Sequence, residues 1–271
     1  MIRREFLLVF ILLLLVFTGI SYFKHAKHRI HPNPDQGTDS ASMQATFWNC
    51  YNQASSYRLQ GQPEKAAAAY HKALSLQPDH EDALYYAGIV DREMDSLHAA
   101  QQCWEKLTTL NPQSERAFMQ LGNLYLSIDN PAYFHPDQAS AYYRKAADLN
   151  RESPLPWLRL SEIALYKNDL GTATKLLGNL AVMDGKNPEI PFLEGYIRWK
   201  RRTGAAPEHP ERLLAKIQSS PEYRHKLKQG LFQPWLGQIQ APVENSLPSQ
   251  PGNWYGNFDR FLARLRNRMN R

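Results

Sequence analysis

The chain has 271 residues, of which 43% are hydrophobic and 21% charged, and it carries a net charge of +6 and two cysteines. A chain of this length and composition can bury a sizeable hydrophobic core. Two cysteines are too few for a fold that depends on a framework of disulfides. The positive charge lies at the two ends: residues 1–31 have five basic and one acidic residue, 32–187 have thirteen and eighteen, and 188–271 have fourteen and seven. The mildly acidic middle argues against nucleic-acid binding there.

The N-terminus carries an uncharged, largely apolar stretch of eighteen residues, 6–23, which follows Arg3 and Arg4. At helical rise this stretch spans roughly 27 Å, close to the thickness of a bilayer's hydrocarbon core. It predicts a single-pass anchor within 1–31, with the N-terminus inside and the rest of the chain periplasmic or otherwise extracytoplasmic. The small residues at 19–21 leave a cleaved signal peptide open, and basic residues on both flanks do not decide the orientation.

The segment that follows, residues 32–44, combines prolines, a glycine and small polar residues. This composition is typical of a semi-flexible tether that need not fold. We therefore expect a flexible linker between the anchor and a folded domain.

A short, alanine-rich helix is predicted between Pro63 and Pro78, because proline suits the first helical position and cannot continue a helix. Such a helix is marginal alone, so it needs a partner. Its features return at intervals of thirty-four residues, in Ala66 and Ala100, in Pro78 and Pro112, and in Ala54, Gly88 and Gly122. With this period and these small and aromatic positions, the chain resembles the tetratricopeptide repeat family, whose unit is a pair of helices.

The resemblance implies an all-α solenoid of helical hairpins behind the N-terminal transmembrane helix. Four repeats fill residues 45–187, and a degenerate fifth repeat with capping helices follows at 188–232. The units run over 47–80, 81–114, 115–153 and 154–187. The third unit has five additional residues in its internal turn, and in the fourth Gly185 replaces the closing proline.

The resemblance also implies that the first helices of the units line a concave groove that binds other proteins or peptides. Aromatic, basic and polar residues occupy the matching positions, which are Trp48, Tyr51, Arg58, Tyr85, Arg92, Arg116, Met119, Asn123 and Leu158. For any single residue, packing on a neighbour is the competing interpretation, so the hypothesis concerns the set. Tyr51 and Ser55 stand where one subclass, which recognises C-terminal carboxylates of chaperones, has lysine and asparagine. That subclass is therefore disfavoured.

The long turn of the third unit holds Tyr133 and Phe134 between two prolines. On an exposed loop these two rings would form a second contact with a partner. A plain surface insertion without a binding role is the alternative.

The C-terminal region begins with a predicted Pro- and Gly-rich loop over 233–257 and ends in a basic amphipathic helix over 258–271. The residues singled out in this helix are Phe258, Phe261, Leu262, Arg264, Leu265 and Arg268. Such a helix lies on anionic membranes or in a partner's groove, or it folds back onto its own domain. The sequence leaves both alternatives open.

Catalysis is not expected, because the chain has no phosphate-binding glycine loop, CxxC, HExxH or serine-elbow motif. No cofactor or metal is expected, and Cys50 and Cys103 are predicted to be small buried hydrophobic residues. The sequence thus predicts a membrane-tethered scaffold for protein–protein interaction, in assembly or quality control of an envelope complex such as one for secretion or cytochrome maturation. The alternative is a cytoplasm-facing adaptor whose basic termini bind anionic lipid or nucleic acid.

Overall fold

The structure, a computed structural model, describes residues 34–187, 189–201 and 251–269. These residues form ten α-helices, one short 3₁₀ helix at Pro131–Tyr133 and no strand, with one isolated bridge between Leu126 and Phe134. The helices are α1 Pro34–Leu59, α2 Pro63–Leu76, α3 Glu81–Glu93, α4 Leu97–Leu110, α5 Glu115–Leu124, α6 Pro136–Leu149, α7 Pro154–Tyr166, α8 Leu170–Met183, α9 Glu189–Arg201 and α10 Pro251–Met269.

Consecutive helices pack in pairs, and each pair packs on the next. Contacts join α1 to α2, α3 to α4, α5 to α6 and α7 to α8, and further contacts join α2 to α3, α4 to α5 and α6 to α7. Each unit therefore buries its apolar side against its sequence neighbours, which is the arrangement of a solenoid. The expected all-α solenoid is confirmed for the described part of the chain.

Glycine at the repeated small position lets a large ring approach the first helix of its unit. A Cβ added at Gly88 would lie 2.5 Å from Nε1 of Trp104, and one at Gly122 would lie 2.5 Å from Cε1 of Tyr143. Both rings are fully buried. The thirty-four-residue recurrence of small residues thus reflects the packing of the second helix of a unit on the first.

Helix α1 is longer than the sequence predicted. It begins at Pro34, so the segment 34–44, which was expected to be a flexible linker, is helical. Proline is compatible with the first turn of a helix, where no intrahelical acceptor exists for its missing N–H. Residues 40–46 are all exposed and Phe47 is buried, so residues 40–46 contribute little to the core.

The turn of the third unit folds back onto the end of α5. The backbone N–H of His135 donates to the carbonyl oxygen of Tyr125 at 2.8 Å. Phe134 is buried and packs edge-on against Tyr166 at 5.4 Å between ring centroids. Tyr133 is half-buried, with its ring 6.1 Å from that of Tyr125. The prediction of an exposed pair of rings was wrong for Phe134, because the short bridge draws it into the core.

The predicted anchor over 6–23 and the predicted capping helices beyond 201 lie outside the described residues. Among the helices that the structure describes, none combines the length and apolar character of a membrane-spanning segment. The C-terminal helix α10 begins at Pro251, so the last part of the loop predicted over 233–257 is helical.

Candidate protein-binding face

The first helices of successive units, α1, α3, α5, α7 and α9, share one face of the solenoid, here called the inner face. Side chains at equivalent positions meet across it. Arg116 of α5 forms an ion pair with Asp82 of α3, thirty-four residues earlier. The Gln120 amide donates to the Tyr85 hydroxyl at 3.4 Å. The spacing that revealed the repeats therefore also sets which side chains become neighbours.

Two arginines stack on two tyrosines across α1, α3 and α5. The Arg58 guanidinium carbon lies 4.6 Å from the ring centroid of Tyr86, and that of Arg116 lies 4.5 Å from the ring centroid of Tyr85. The two rings contact each other edge-on at 5.1 Å. Stacking uses the flat face of a guanidinium, and its N–H groups lie in the plane, so they remain able to donate sideways.

Arg92, at the end of α3, is a third arginine of this region. It lies near Tyr85 and Tyr143 and is largely desolvated. Burial lowers the pKa of Arg92, and the neighbouring Glu93 partly opposes that effect. Nε of Arg58, at the equivalent position of α1, is buried with no hydrogen-bond acceptor among the described residues. Two cations at equivalent positions are thus incompletely compensated within the described chain.

An aromatic cluster begins the inner face at α1. The Trp48 side chain is 43% exposed, and its ring contacts Phe47, Tyr51 and His80 with centroids 5.1, 5.7 and 5.4 Å away. His80 is fixed because its Nδ1 accepts from the backbone N–H of Ala83 and caps α3. An exposed indole held by rigid neighbours offers a large contact area at low entropic cost.

Three of the predicted groove residues are buried instead of exposed. Met119 and Leu158 belong to the hydrophobic core, at 5% and 3% exposure. Asn123 accepts a hydrogen bond of 2.9 Å from the buried Tyr143 hydroxyl. Because Met119, Asn123 and Leu158 are buried, the structure does not support their prediction as binding residues. The accessible part of the inner face is therefore formed by α1, α3 and the start of α5.

Helix α7 carries a buried ion pair. The Arg159 guanidinium donates to both carboxylate oxygens of Glu162 at 2.9 Å, and each side chain is 1% exposed. Burying a charge costs free energy, and the two hydrogen bonds, both donated by Nη1 of Arg159, offset part of that cost. This pair was not predicted from the sequence, although its i, i+3 spacing on one helix was a visible signal.

The C-terminal helix α10 packs on α7 and α9, so it covers the inner face at the far end of the described solenoid. Its buried side chains are Tyr255, Phe258, Phe261, Leu262 and Leu265. The Tyr255 ring lies where a side chain at Gly195 would otherwise be. The structure thus favours the second of the two alternatives for this segment: its apolar stripe folds back onto its own domain.

Polar contacts fix the register of α10. Arg266 donates to the carbonyl oxygen of Tyr166 at 2.7 Å, at the negative end of α7. Asp259 accepts from the Tyr196 hydroxyl at 2.7 Å and forms an ion pair with Lys200. Although burial opposes ionisation of Asp259, these hydrogen bonds hold its pKa below the usual value. The exposed side of α10 includes Arg264, and the Arg268 side chain lies outside the described set.

The cysteines and acidic side chains form no evident site for chemistry in the described part of the chain. Cys50 and Cys103 are buried and free. The Cys103 thiol lies 3.9 Å from Asp91, which also contacts Nε2 of His71 at 3.0 Å. No group of three or more potential ligands within these residues is arranged to hold a metal ion.

Comparison with known proteins agrees with this architecture. Residues 50–80 match the tetratricopeptide repeat family. The MamA protein has a similar crystal structure, with a TM-score of 0.52 and 17% identity over 58% of this chain and 83% of that chain. PilF of Pseudomonas aeruginosa gives a TM-score of 0.49 and 24% identity over 62% and 74% of the two chains. YrrB, described as a TPR protein with an unusual peptide-binding site, gives a TM-score of 0.48 and 21% identity over 66% of this chain and 89% of that chain.

The matched repeat, the thirty-four-residue equivalence of contacts and the likeness to MamA in fold agree with one another. Solenoids of this type present a face to other polypeptides. Residues 50–80 therefore match a tetratricopeptide repeat, and the described part of the chain has the fold of a tetratricopeptide repeat solenoid.

Proposed function

We propose that the protein is a membrane-tethered scaffold that holds a polypeptide partner on the inner face of α1, α3 and the start of α5. The partner belongs to an envelope complex, which the scaffold helps to assemble or to keep correctly assembled. The proposed role is binding without catalysis. The apolar stretch 6–23 supports the tether, and the rule that long domains after such a stretch are translocated largely regardless of charge supports an exported domain.

One observation carries the proposal: the exposed Trp48 lies at one end of a face whose other members are stacked tyrosines and arginines. Tryptophan, tyrosine and arginine are the residues that most often dominate binding energy at protein interfaces. The far end of the inner face is covered by α10, so a partner has access to the first two units and the start of the third.

The adaptor alternative, in which the basic C-terminal helix binds lipid or nucleic acid from the cytoplasm, has less support. The apolar side of α10 is packed against α7 and α9, so it is not available for insertion into a membrane. Strongly salt-dependent binding of the full chain to DNA would favour that alternative.

The test is affinity capture with crosslinking from the detergent-solubilised envelope of the native host. The full chain is compared with a variant that combines Tyr51→Ala, Tyr85→Ala and Arg116→Ala. Partners lost only in the triple variant support binding at this face. The control is a triple variant of exposed residues on second helices, Lys72→Ala, Arg144→Ala and Lys175→Ala. Equal losses in both variants would contradict the proposal.

A separate test addresses the side of the membrane on which the repeats lie. A reporter that is active only in the cytoplasm is fused to the C-terminus of the full chain. We expect no activity, because a long domain behind an N-terminal signal anchor is translocated. Strong activity would place the repeats in the cytoplasm and would remove the extracytoplasmic part of the proposal.

A further inference from the structure

The arginines of the inner face indicate the chemistry of the partner. We infer that the face takes an acidic peptide segment, whose carboxylates pair with Arg58 and Arg92 while an apolar side chain packs on Trp48. This inference rests on the proposed function and specifies its ligand.

The first argument is geometric. Arg58 and Arg92 occupy equivalent positions near the ends of α1 and α3, thirty-four residues apart. Arg58 is held by the ring of Tyr86, and a stacked guanidinium loses little further freedom when it binds a carboxylate. Successive units therefore present successive cations, and an extended or helical segment that follows the face meets them in turn.

The second argument concerns charge compensation. Arg116 already pairs with Asp82, whereas Nε of Arg58 has no hydrogen-bond acceptor among the described residues, and Glu93 offsets the desolvation of Arg92 only in part. The desolvation that lowers the pKa of Arg92 makes an incoming anion more favourable there. A carboxylate that accepts two parallel N–H groups provides that compensation with defined geometry.

The third argument favours a short acidic segment over a polyanion. The region 32–187 carries thirteen basic and eighteen acidic residues, so a long nucleic acid would meet net repulsion beyond the arginine pair. A peptide with a few acidic side chains near an aromatic residue satisfies the local cations and the exposed indole together.

The test is selection of random twelve-residue peptides, displayed on phage, against the immobilised full chain in detergent. We expect an excess of Asp and Glu in the enriched peptides, and loss of this excess against a variant with Arg58→Gln and Arg92→Gln. Arg144→Gln, on an exposed site of α6, is the matched control. Circular dichroism melting of each variant checks that it folds.

Fluorescence anisotropy with the most enriched peptide then measures affinity. We expect each arginine substitution to raise the dissociation constant about tenfold and the double variant to raise it about a hundredfold. A hydrogen bond to a charged group contributes a binding free energy of this magnitude. Wild-type affinity should also fall with salt. Amide replacement of the peptide's carboxylates should reproduce the loss without any change to the protein.

The outcomes of these experiments distinguish failure of this inference from failure of the proposed function. Enriched peptides without an acidic excess, whose binding still requires Tyr51, Tyr85 and Arg116, would overturn the acidic ligand and keep the binding face. Failure to enrich any peptide above an unrelated protein would count against both. Affinity that is insensitive to carboxylate replacement would also overturn the inference.

Discussion

Truncation of Phe258 tests the docking of the C-terminal helix. This side chain is 1% exposed, and its ring packs edge-on against Phe192 at 5.6 Å and Tyr196 at 5.0 Å. Replacing a buried phenylalanine with alanine costs about 3–5 kcal/mol, and about 4 kcal/mol corresponds to roughly a thousandfold change in an equilibrium constant. A lone helix of this length is marginal in water, so α10 should lose its helical structure when it undocks.

Hydrogen–deuterium exchange with mass spectrometry on the full chain measures this opening directly. In Phe258→Ala, amide protection over 255–267 should fall by up to about a thousandfold, while the amides of α3 and α4 stay protected. Arg260→Ala, on the exposed side of α10, is the control and should leave the protection unchanged. Unaltered protection in Phe258→Ala, or an equal fall in the control, would refute the docked arrangement.

Three further predictions concern the solenoid. Gly88→Ala should lower the free energy of unfolding by about 1–3 kcal/mol, because the new methyl group meets the buried indole of Trp104. Gly178→Ala should raise the free energy of unfolding by up to about 1 kcal/mol, because alanine favours the helix and its methyl group meets no atom within 4 Å. Urea titration of each variant measures both changes. The hydrogen bond to Asp91 raises the pKa of His71. The stability that this pair contributes is therefore complete below about pH 6.5 and is lost as the pH rises through the raised pKa. The urea midpoints of the wild type and of His71→Gln should differ at pH 6 and converge by pH 8.5. Burial and Asp91 raise the pKa of Cys103 to about 12, so iodoacetamide at pH 8 should alkylate this thiol only as fast as the chain unfolds; rapid labelling of the native protein would contradict its burial.

The repeat architecture was predictable because its signal is local and periodic. Pro63, Pro136 and Pro154 mark the starts of helices, and the glycines at 88 and 122 mark where rings cross the first helices. Each of these features acts within one unit. A sequence pattern therefore carried enough information to identify them.

The binding face was predicted only in part, because exposure depends on contacts that a repeat pattern does not contain. Trp48 remains exposed and Arg58 partly exposed, but Met119 and Leu158, at positions equivalent to Tyr51 and Tyr85 of the inner face, lie in the core. A position in the repeat fixes the direction of a side chain. It does not say what else covers that side chain.

The C-terminal helix could not be assigned for a different reason. Its apolar stripe was evident, but an amphipathic helix suits a membrane, a partner or its own domain equally well. The deciding contacts, from Tyr255 to Gly195 and from Asp259 to Lys200, join residues about sixty positions apart. Nothing in the local pattern specifies such a pairing.

This distance in sequence has a consequence for synthesis of the protein. Side-chain hydrogen bonds between neighbouring units, such as those between Arg116 and Asp82 and between Gln120 and Tyr85, connect residues 34 and 35 positions apart. Arg266, by contrast, bonds to the carbonyl oxygen of Leu165, 101 positions earlier. The units can form one after another as the chain leaves the ribosome, whereas α10 docks only after about a hundred further residues have been synthesised. During that interval the face of α7 and α9 is open to chaperones, proteases or another nascent chain.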